Sequence, residues 1–241
     1  MRGKSQYFGK ASAKFHLRYA EEAKSPANRL TEIRLVCYNK YMISVADYDA
    51  GNIHSVLNAL DFLGKEARLS SDPHEIERAD FVLLPGVGAF GAAMRSLKEK
   101  GLDTALKNRM AADRPTLGIC LGLQLLFDGS EESEGERGLG FLKGKVKRLP
   151  VTTKKLPHIG WTTLENCRGS FKDFENRYMY FVHGYAAVCE NENDVAAYAD
   201  YDGKFTAAVE RGNVRACQFH PEKSSADGLR LLEKLLGEEG R

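Results

Sequence analysis

Gly118-Ile119-Cys120-Leu121-Gly122 closes an apolar run and sets a thiol between two glycines. The form is G-x-C-x-G, a nucleophile elbow with cysteine in the place of serine. Small residues two before and two after the nucleophile let the backbone pass through a sharp strand-to-helix turn. The nucleophile then projects from the carboxyl edge of a sheet at a helix N-terminus. There the helix dipole favours thiolate, and the next N–H can serve an oxyanion. The pattern also fits a small buried cysteine at a strand end, because free cysteine packs as a compact hydrophobe. Taken alone, it leaves both readings open.

A thiol nucleophile needs a base, and Phe219-His220-Pro221-Glu222 offers one. Pro221 fixes the backbone between His220 and Glu222. The carboxylate can then accept from one imidazole nitrogen while the other faces the thiol, the role logic of a catalytic triad. Singly, His220 reads as a turn histidine and Glu222 as a first-turn helix acid; with the elbow, the catalytic reading gains. Leu84-Pro85-Gly86-Val87-Gly88-Ala89-Phe90 follows another buried run and can turn backbone N–H groups toward an oxyanion. It also fits an ordinary strand-to-helix loop. Phosphate binding is disfavoured, since no Walker lysine and no G-x-G-x-x-G are present.

These residues need a scaffold of alternating strands and helices. Met42–Ala46 and Phe81–Leu84 read as buried strands, the second stopped by Pro85-Gly86. Pro115–Ile119 reads as a third, running into Cys120. Ile53, Val56, Leu57, Leu60 and Leu63 recur at helical spacing before Gly64, a C-cap glycine. Two further helices are expected over Phe90–Lys100 and Asp103–Ala112. The alternation predicts an α/β fold, a parallel sheet with helices on both faces. From about residue 140 short runs read as strands, several antiparallel, with Asp202-Gly203 as a hairpin turn. A last helix starts near Ser224 or Ser225 and carries Leu229, Leu232 and Leu236 on one face.

The chain of 241 residues has a formal net charge of +2, unevenly spread. Residues 1–41 hold nine Lys/Arg against three acids, a net +6, and leave −4 on 42–241. The expected organisation is a basic leader, 1–41, before a domain over 42–241. The leader reads either as a disordered extension or as an upstream start, with Met42 the functional initiator. Nucleic-acid binding rests on that leader alone and is not expected. Five widely spaced cysteines argue against a disulfide framework and a cysteine zinc site, and fit a reducing cytoplasm. No apolar run approaches the ~18 residues of a membrane span, so no membrane partner is expected.

The elbow with Gln124 after it, together with Phe219-His220-Pro221-Glu222, resembles the class I glutamine amidotransferases. More narrowly, the chain resembles the family of glutaminase subunits of imidazole glycerol phosphate synthase, of histidine biosynthesis. The narrower likeness rests on Pro157-His158-Ile159-Gly160-Trp161 and Tyr180-Phe181-Val182-His183. Asp47-Tyr48 with Gly51-Asn52, the Leu84–Phe90 stretch and Gln218–Ser224 add to it. The match runs from Met42 to the C-terminus.

The resemblance implies a flavodoxin-like, mostly parallel sheet flanked by helices, with an added antiparallel portion in the C-terminal half. It implies that Cys120 attacks the amide of L-glutamine, releasing ammonia and leaving a glutamyl thioester. His220 would be base and then acid, oriented by Glu222. The Leu121 N–H and the Val87–Gly88 backbone would form the oxyanion hole, the second donor misaligned until the partner binds its substrate. Gln124, Glu132 and backbone groups at His183, Gly184 and Tyr185 would hold glutamine. The partner would be a (β/α)₈-barrel cyclase subunit, receiving ammonia through its barrel and making imidazole glycerol phosphate and AICAR. Asn52, Trp161 and Tyr180 match positions facing it. No cofactor and no metal are implied. The chain departs from the family at Asp49 (usually glycine), Thr162 (usually asparagine) and Gly184 (usually serine or threonine). The first two touch interface detail, and the third any side-chain contact to glutamine. A glutaminase serving another synthase, a catalytically silent module and a thiol hydrolase are the competing readings. The narrower stretches, the intact triad, and Gln124 with the His-Pro-Glu spacing disfavour each in turn.

Overall fold

The computed structural model describes residues 41–237. Apart from Tyr41, the expectation for the leader lies outside them. The described residues belong to one compact unit.

The first half alternates strands and helices: β1 (Ile43–Ala46), α1 (Ile53–Phe62), β2 (Ala67–Ser70), α2 (Pro73–Arg78), β3 (Phe81–Gly86), α3 (Phe90–Glu99), α4 (Leu102–Ala111), β4 (Thr116–Cys120) and α5 (Leu121–Gln124). Then follow β5 (Gly129–Ser130), β6 (Gly144–Arg148), β7 (His158–Thr163), β8 (Tyr178–His183), β9 (Tyr185–Cys189), β10 (Val195–Asp200), β11 (Lys204–Arg211), β12 (Val214–Cys217) and α6 (Ser225–Leu236).

The main sheet has the order β10-β11-β12-β4-β3-β1-β2. Its β12-β4-β3-β1-β2 part is parallel, and β10 and β11 extend it antiparallel. Each central strand is buried on both faces, which is why it reads as an unbroken apolar run. Ile43, Val45, Phe81, Leu83, Leu117 and Ile119 enter one core, against Val56 and Leu60 of α1 and Leu231 and Leu232 of α6. Val82 and Leu84 enter the other, against Met94 and Leu97 of α3 and Leu106 of α4. Two small sheets complete the unit, β5-β6-β9 and the antiparallel pair β7-β8.

Four details differ from the sequence reading. The strand beginning at Phe81 does not stop at Leu84 but continues through Pro85 and Gly86. β1 pairs with β3 only as far as Leu83, so Pro85 lies on a locally one-sided strand, where a missing N–H is tolerated. The buried stripe of α6 runs through Gly228, Leu231, Leu232, Leu235 and Leu236, with Leu229 only half-buried at its edge. Both β2 and α2 are additional. β2 is a largely exposed edge strand without an apolar run. α2 is a six-residue helix capped by Asp72, with Pro73 in its first turn.

Candidate active site

The parallel register of β3 with β4 sets Gly86 opposite Cys120. The loop after β3 and the turn after β4 therefore leave the sheet side by side at its carboxyl edge. Cys120 has φ 55 and ψ −105, a conformation a side-chain-bearing residue holds only when its surroundings over-determine it. They do so here. A Cβ on Gly122 would sit 1.7 Å from the Leu84 carbonyl oxygen, and one on Gly118 would sit 2.8 Å from that of Gly122. The elbow glycines are thus required by close backbone approach. α5 is only one turn long. Its dipole is correspondingly small, so the helix contributes less to a thiolate than the sequence pattern suggests.

β12 lies on the other side of β4 in parallel register and delivers His220 just past its end. Pro221–Lys223 form a short 3₁₀ turn that folds Glu222 back onto the ring. His220 Nδ1 lies 2.7 Å from Glu222 Oε1, with both side chains at most 1% exposed. The carboxylate can only accept, so Nδ1 donates to it and Nε2 is the nitrogen at which the ring gains and loses its proton. Nε2 is buried without an aligned hydrogen-bond partner. Burial works against charge on this ring, but the Cys120 sulfur and the Glu222 carboxylate outweigh it and push its pKa up to about 9. The turn is stitched to β8: His220 N–H donates to the Tyr180 carbonyl (2.9 Å), the Tyr180 N–H donates to Ser224 Oγ (2.9 Å), and that hydroxyl donates to the His220 carbonyl (2.6 Å).

Cys120 lines a cleft of about 250 Å³. Val87, Gly88 and Leu121 line it too, and Gln124, Glu132, His183, Gly184 and Tyr185 complete the wall with Val182. The cleft thus gathers Cys120 with every residue that the sequence marks as a candidate for the oxyanion hole or the substrate site. A larger open cavity of about 700 Å³, lined among others by Asp128, Glu131, Arg137 and Lys145, includes none of the sequence-predicted site residues. Glu132 Oε2 accepts the Phe90 N–H at 2.7 Å, which fixes the carboxylate at the start of α3. His183 donates from Nδ1 to the Tyr185 carbonyl at 2.9 Å. Burial lowers its pKa to about 3 against that carbonyl's opposing pull, so the ring is neutral at ordinary pH. At Gly184 a Cβ would meet nothing within 4 Å, so this departure removes a side chain without rearranging the wall.

Asn52 makes a contact that its sequence position does not disclose. Its Nδ2 donates to Glu222 Oε1 at 3.0 Å, and its Oδ1 accepts from Ser55 Oγ at 2.8 Å. Trp161 and Tyr180 are cross-strand partners on β7 and β8, their rings edge-to-face at 5.8 Å. With Trp161 at 48%, Ile159 at 60% and Tyr178 at 61% exposure, the hairpin presents apolar surface outward. Thr162 holds His158 Nε2 at 3.0 Å, and His158 stacks on Tyr201, a packing arrangement. Asp49 has φ 62, which explains the family's glycine there. Gln218, to which sequence reasoning gave no role, is fully buried with its Nε2 3.6 Å from Cys120 Sγ. Its one signal is position, a polar residue between a buried strand and His220.

Residues 44–236 match the family described as glutamine amidotransferase class-I. The chain is 44% identical over 196 residues to the imidazole glycerol phosphate synthase subunit HisH of Chlorobaculum tepidum, covering 80% of this chain and 98% of that protein. It is 46% identical over 197 residues to the subunit of the same description from Carboxydothermus hydrogenoformans, again covering 80% and 98%. Among solved structures, a glutamine amidotransferase superposes with a TM-score of 0.65 at 21% identity, covering 80% of this chain and 98% of its own. The PurLQS structure from Thermotoga maritima gives 0.64 at 20%, covering 81% and 97%. At such identities these two likenesses speak for the fold alone.

Proposed function

The chain belongs to the class I glutamine amidotransferases, among the HisH subunits of imidazole glycerol phosphate synthase, and from that premise we propose that Cys120, His220 and Glu222 are its catalytic triad. The protein is the glutaminase subunit of that synthase, an enzyme of histidine biosynthesis. The observation that carries the triad is the convergence of Cys120, Gln124 and Glu132 on one cleft, with the His220–Glu222 pair beside the thiol.

In the proposed cycle His220 Nε2 takes the thiol proton, and the imidazolium is held by Glu222. The sulfur attacks the amide carbon of L-glutamine. The oxyanion forms beside Leu121 and the Val87–Gly88 backbone. As the C–N bond breaks, His220 returns the proton to the leaving nitrogen and ammonia departs. Water, deprotonated by the same ring, then hydrolyses the thioester to glutamate and restores the thiol.

Gln124 spends both N–H groups on the protein, donating to the Tyr185 carbonyl and to Gln218 Oε1, each at 3.0 Å. Its remaining polar atom is an acceptor, suited with the Glu132 carboxylate to the substrate's α-ammonium. The backbone at His183, Gly184 and Tyr185 lines the rest of the substrate site. The cyclase partner, a barrel that receives the ammonia, docks on the face carrying Trp161, Tyr180 and Asn52. The exposed apolar hairpin supports that assignment. The proposed compartment is the cytoplasm. Among the described residues no helix is long and apolar enough to cross a membrane.

The test is a Cys120→Ala chain assayed with the cyclase subunit and its ribonucleotide ligand. Glutamine-dependent turnover should vanish while turnover fed with free ammonia at high pH persists. The unsubstituted chain alone should hydrolyse glutamine weakly and be strongly stimulated by the liganded partner. Glutamine hydrolysis by Cys120→Ala would overturn the mechanism.

A further inference from the structure

The proposed mechanism asks Cys120 to exist as a thiolate, and the single-turn α5 is a weak source of stabilisation for one. A second donor lies against the sulfur. Gln218 is fully buried, and its Nε2 lies 3.6 Å from Cys120 Sγ, an ordinary N–H···S separation. An amide could in principle present either its nitrogen or its oxygen to that atom, so its orientation must be argued from its neighbours.

The Tyr185 carbonyl settles the orientation. A carbonyl oxygen can only accept, so the Gln124 atom 3.0 Å from it is the nitrogen. That same nitrogen lies 3.0 Å from the Gln218 side chain, and an N–H there requires an acceptor, so Gln218 presents Oε1 to Gln124. Its Nε2 is thereby turned to Cys120. One fixed backbone carbonyl thus orients two glutamine amides in series and ends in a donor aimed at sulfur. The backbone adds to this, since the Gln218 N–H donates to the Ala207 carbonyl at 2.8 Å and pins the residue against β11.

We propose that Gln218 is a further catalytic residue, whose side-chain N–H holds and aims the Cys120 thiolate and whose orientation is set through Gln124 by the Tyr185 carbonyl. The proposal rests on the reading of Cys120 as nucleophile. Removing a hydrogen bond to a charged, buried partner weakens the charged form roughly tenfold to a hundredfold. The interaction is with the nucleophile and not with bound glutamine, so its loss falls on kcat with little change in KM. Substitution of Gln124, which faces substrate, raises KM as well.

The experiment uses the full chain and Gln218→Met, which keeps length and bulk but lacks the donor. Alkylation of Cys120 by iodoacetamide is followed across pH by peptide mass mapping, with no need of the cyclase. The expected result is alkylation at neutral pH slowed about tenfold or more, its midpoint moved to higher pH, and a matching fall in glutaminase kcat. Should Gln218→Met fail to fold, Gln124→Met supplies the second reading. It leaves Gln218 in place but removes the N–H that orients it, and alkylation should slow by a smaller factor. Unchanged alkylation and kcat in a folded Gln218→Met chain, or unchanged alkylation in Gln124→Met, would reduce Gln218 to packing and overturn the proposal. Cys120→Ala separates the two failures. If it retains glutamine hydrolysis, the nucleophile assignment fails; if it is inactive while Gln218→Met behaves as the unsubstituted chain, only the role of Gln218 fails.

Discussion

His220 holds its proton to about pH 9 because a buried carboxylate and a sulfur face it, against the opposing effect of its own burial. An imidazole in the unfolded chain releases its proton near pH 6.5. Between these two values the folded state binds a proton that the unfolded state does not, so stability falls as pH rises across that window. The contribution is complete below about 6.5 and is lost through about 9. Glu222→Gln, which removes the carboxylate's charge, should therefore cost about 1.5–3 kcal/mol near pH 6. Its deficit relative to the unsubstituted chain should shrink steadily toward pH 9.5, measured by denaturant unfolding. A deficit independent of pH would mean that Glu222 serves packing and not charge. The pair was legible in the sequence because its two members stand two residues apart around a proline. The Asn52 contact to the same carboxylate was not, since it joins segments 170 residues apart. Gln218 escaped notice for a related reason: a buried amide announces a role only through its neighbours, and those come from three separate elements.

At the scale of elements, the chemistry depends on two close approaches. The first is the elbow, where α5 crosses over β3. Gly122→Ala would drive a methyl into the Leu84 carbonyl, a clash with backbone that no rotamer relieves. We expect a loss of at least ~3 kcal/mol or failure to fold, read by thermal unfolding; a well-folded, active variant would show that the turn is pliant. The second is the seam between β8 and the His220 turn. Ser224→Ala leaves the Tyr180 N–H without its acceptor and releases the His220 carbonyl from its donor. The expected cost is about 1–3 kcal/mol with lowered glutaminase kcat, whereas lost stability with an unaltered kcat would separate the seam from catalysis. Long apolar runs made β1, β3 and β4 readable, because a strand covered on both faces has no alternation to misread. β2 failed that test, as an edge strand whose residues are mostly exposed. α2 is held by tertiary contacts more than by pattern: the buried Arg109 of α4 donates to the Ile76, Glu77 and Ala79 carbonyls at its end.

Over the whole molecule, Cys120, His220 and the loop carrying Val87 and Gly88 collect at the carboxyl edge of the parallel strands, where open α/β sheets place their ligands. The antiparallel β7-β8 pair, hydrogen-bonded to the His220 turn, has two unlike faces. Phe181 packs inward against Phe219, next to His220, while Ile159, Trp161 and Tyr178 stay exposed. Tyr180 is bonded through its backbone to both His220 and Ser224, so a body pressed against the outer face bears on His220 through a few covalent and hydrogen bonds. Leaving large aromatics in water has a free-energy cost that a protein chain recovers by covering them, and a central tryptophan commonly dominates such a contact. Trp161→Ala should therefore weaken binding to the cyclase subunit at least about tenfold, measured by calorimetric titration. The isolated chain should keep its melting temperature, because an exposed side chain contributes little to folding. Its slow glutamine hydrolysis without partner should also persist, since Trp161 lines none of the cleft. Stimulation by liganded cyclase, measured at saturating partner, then separates docking from activation. Full stimulation at saturation assigns Trp161 to affinity alone, and stimulation that stays low assigns it to the path from hairpin to His220. Affinity unchanged by the substitution would place the docking face elsewhere on the molecule.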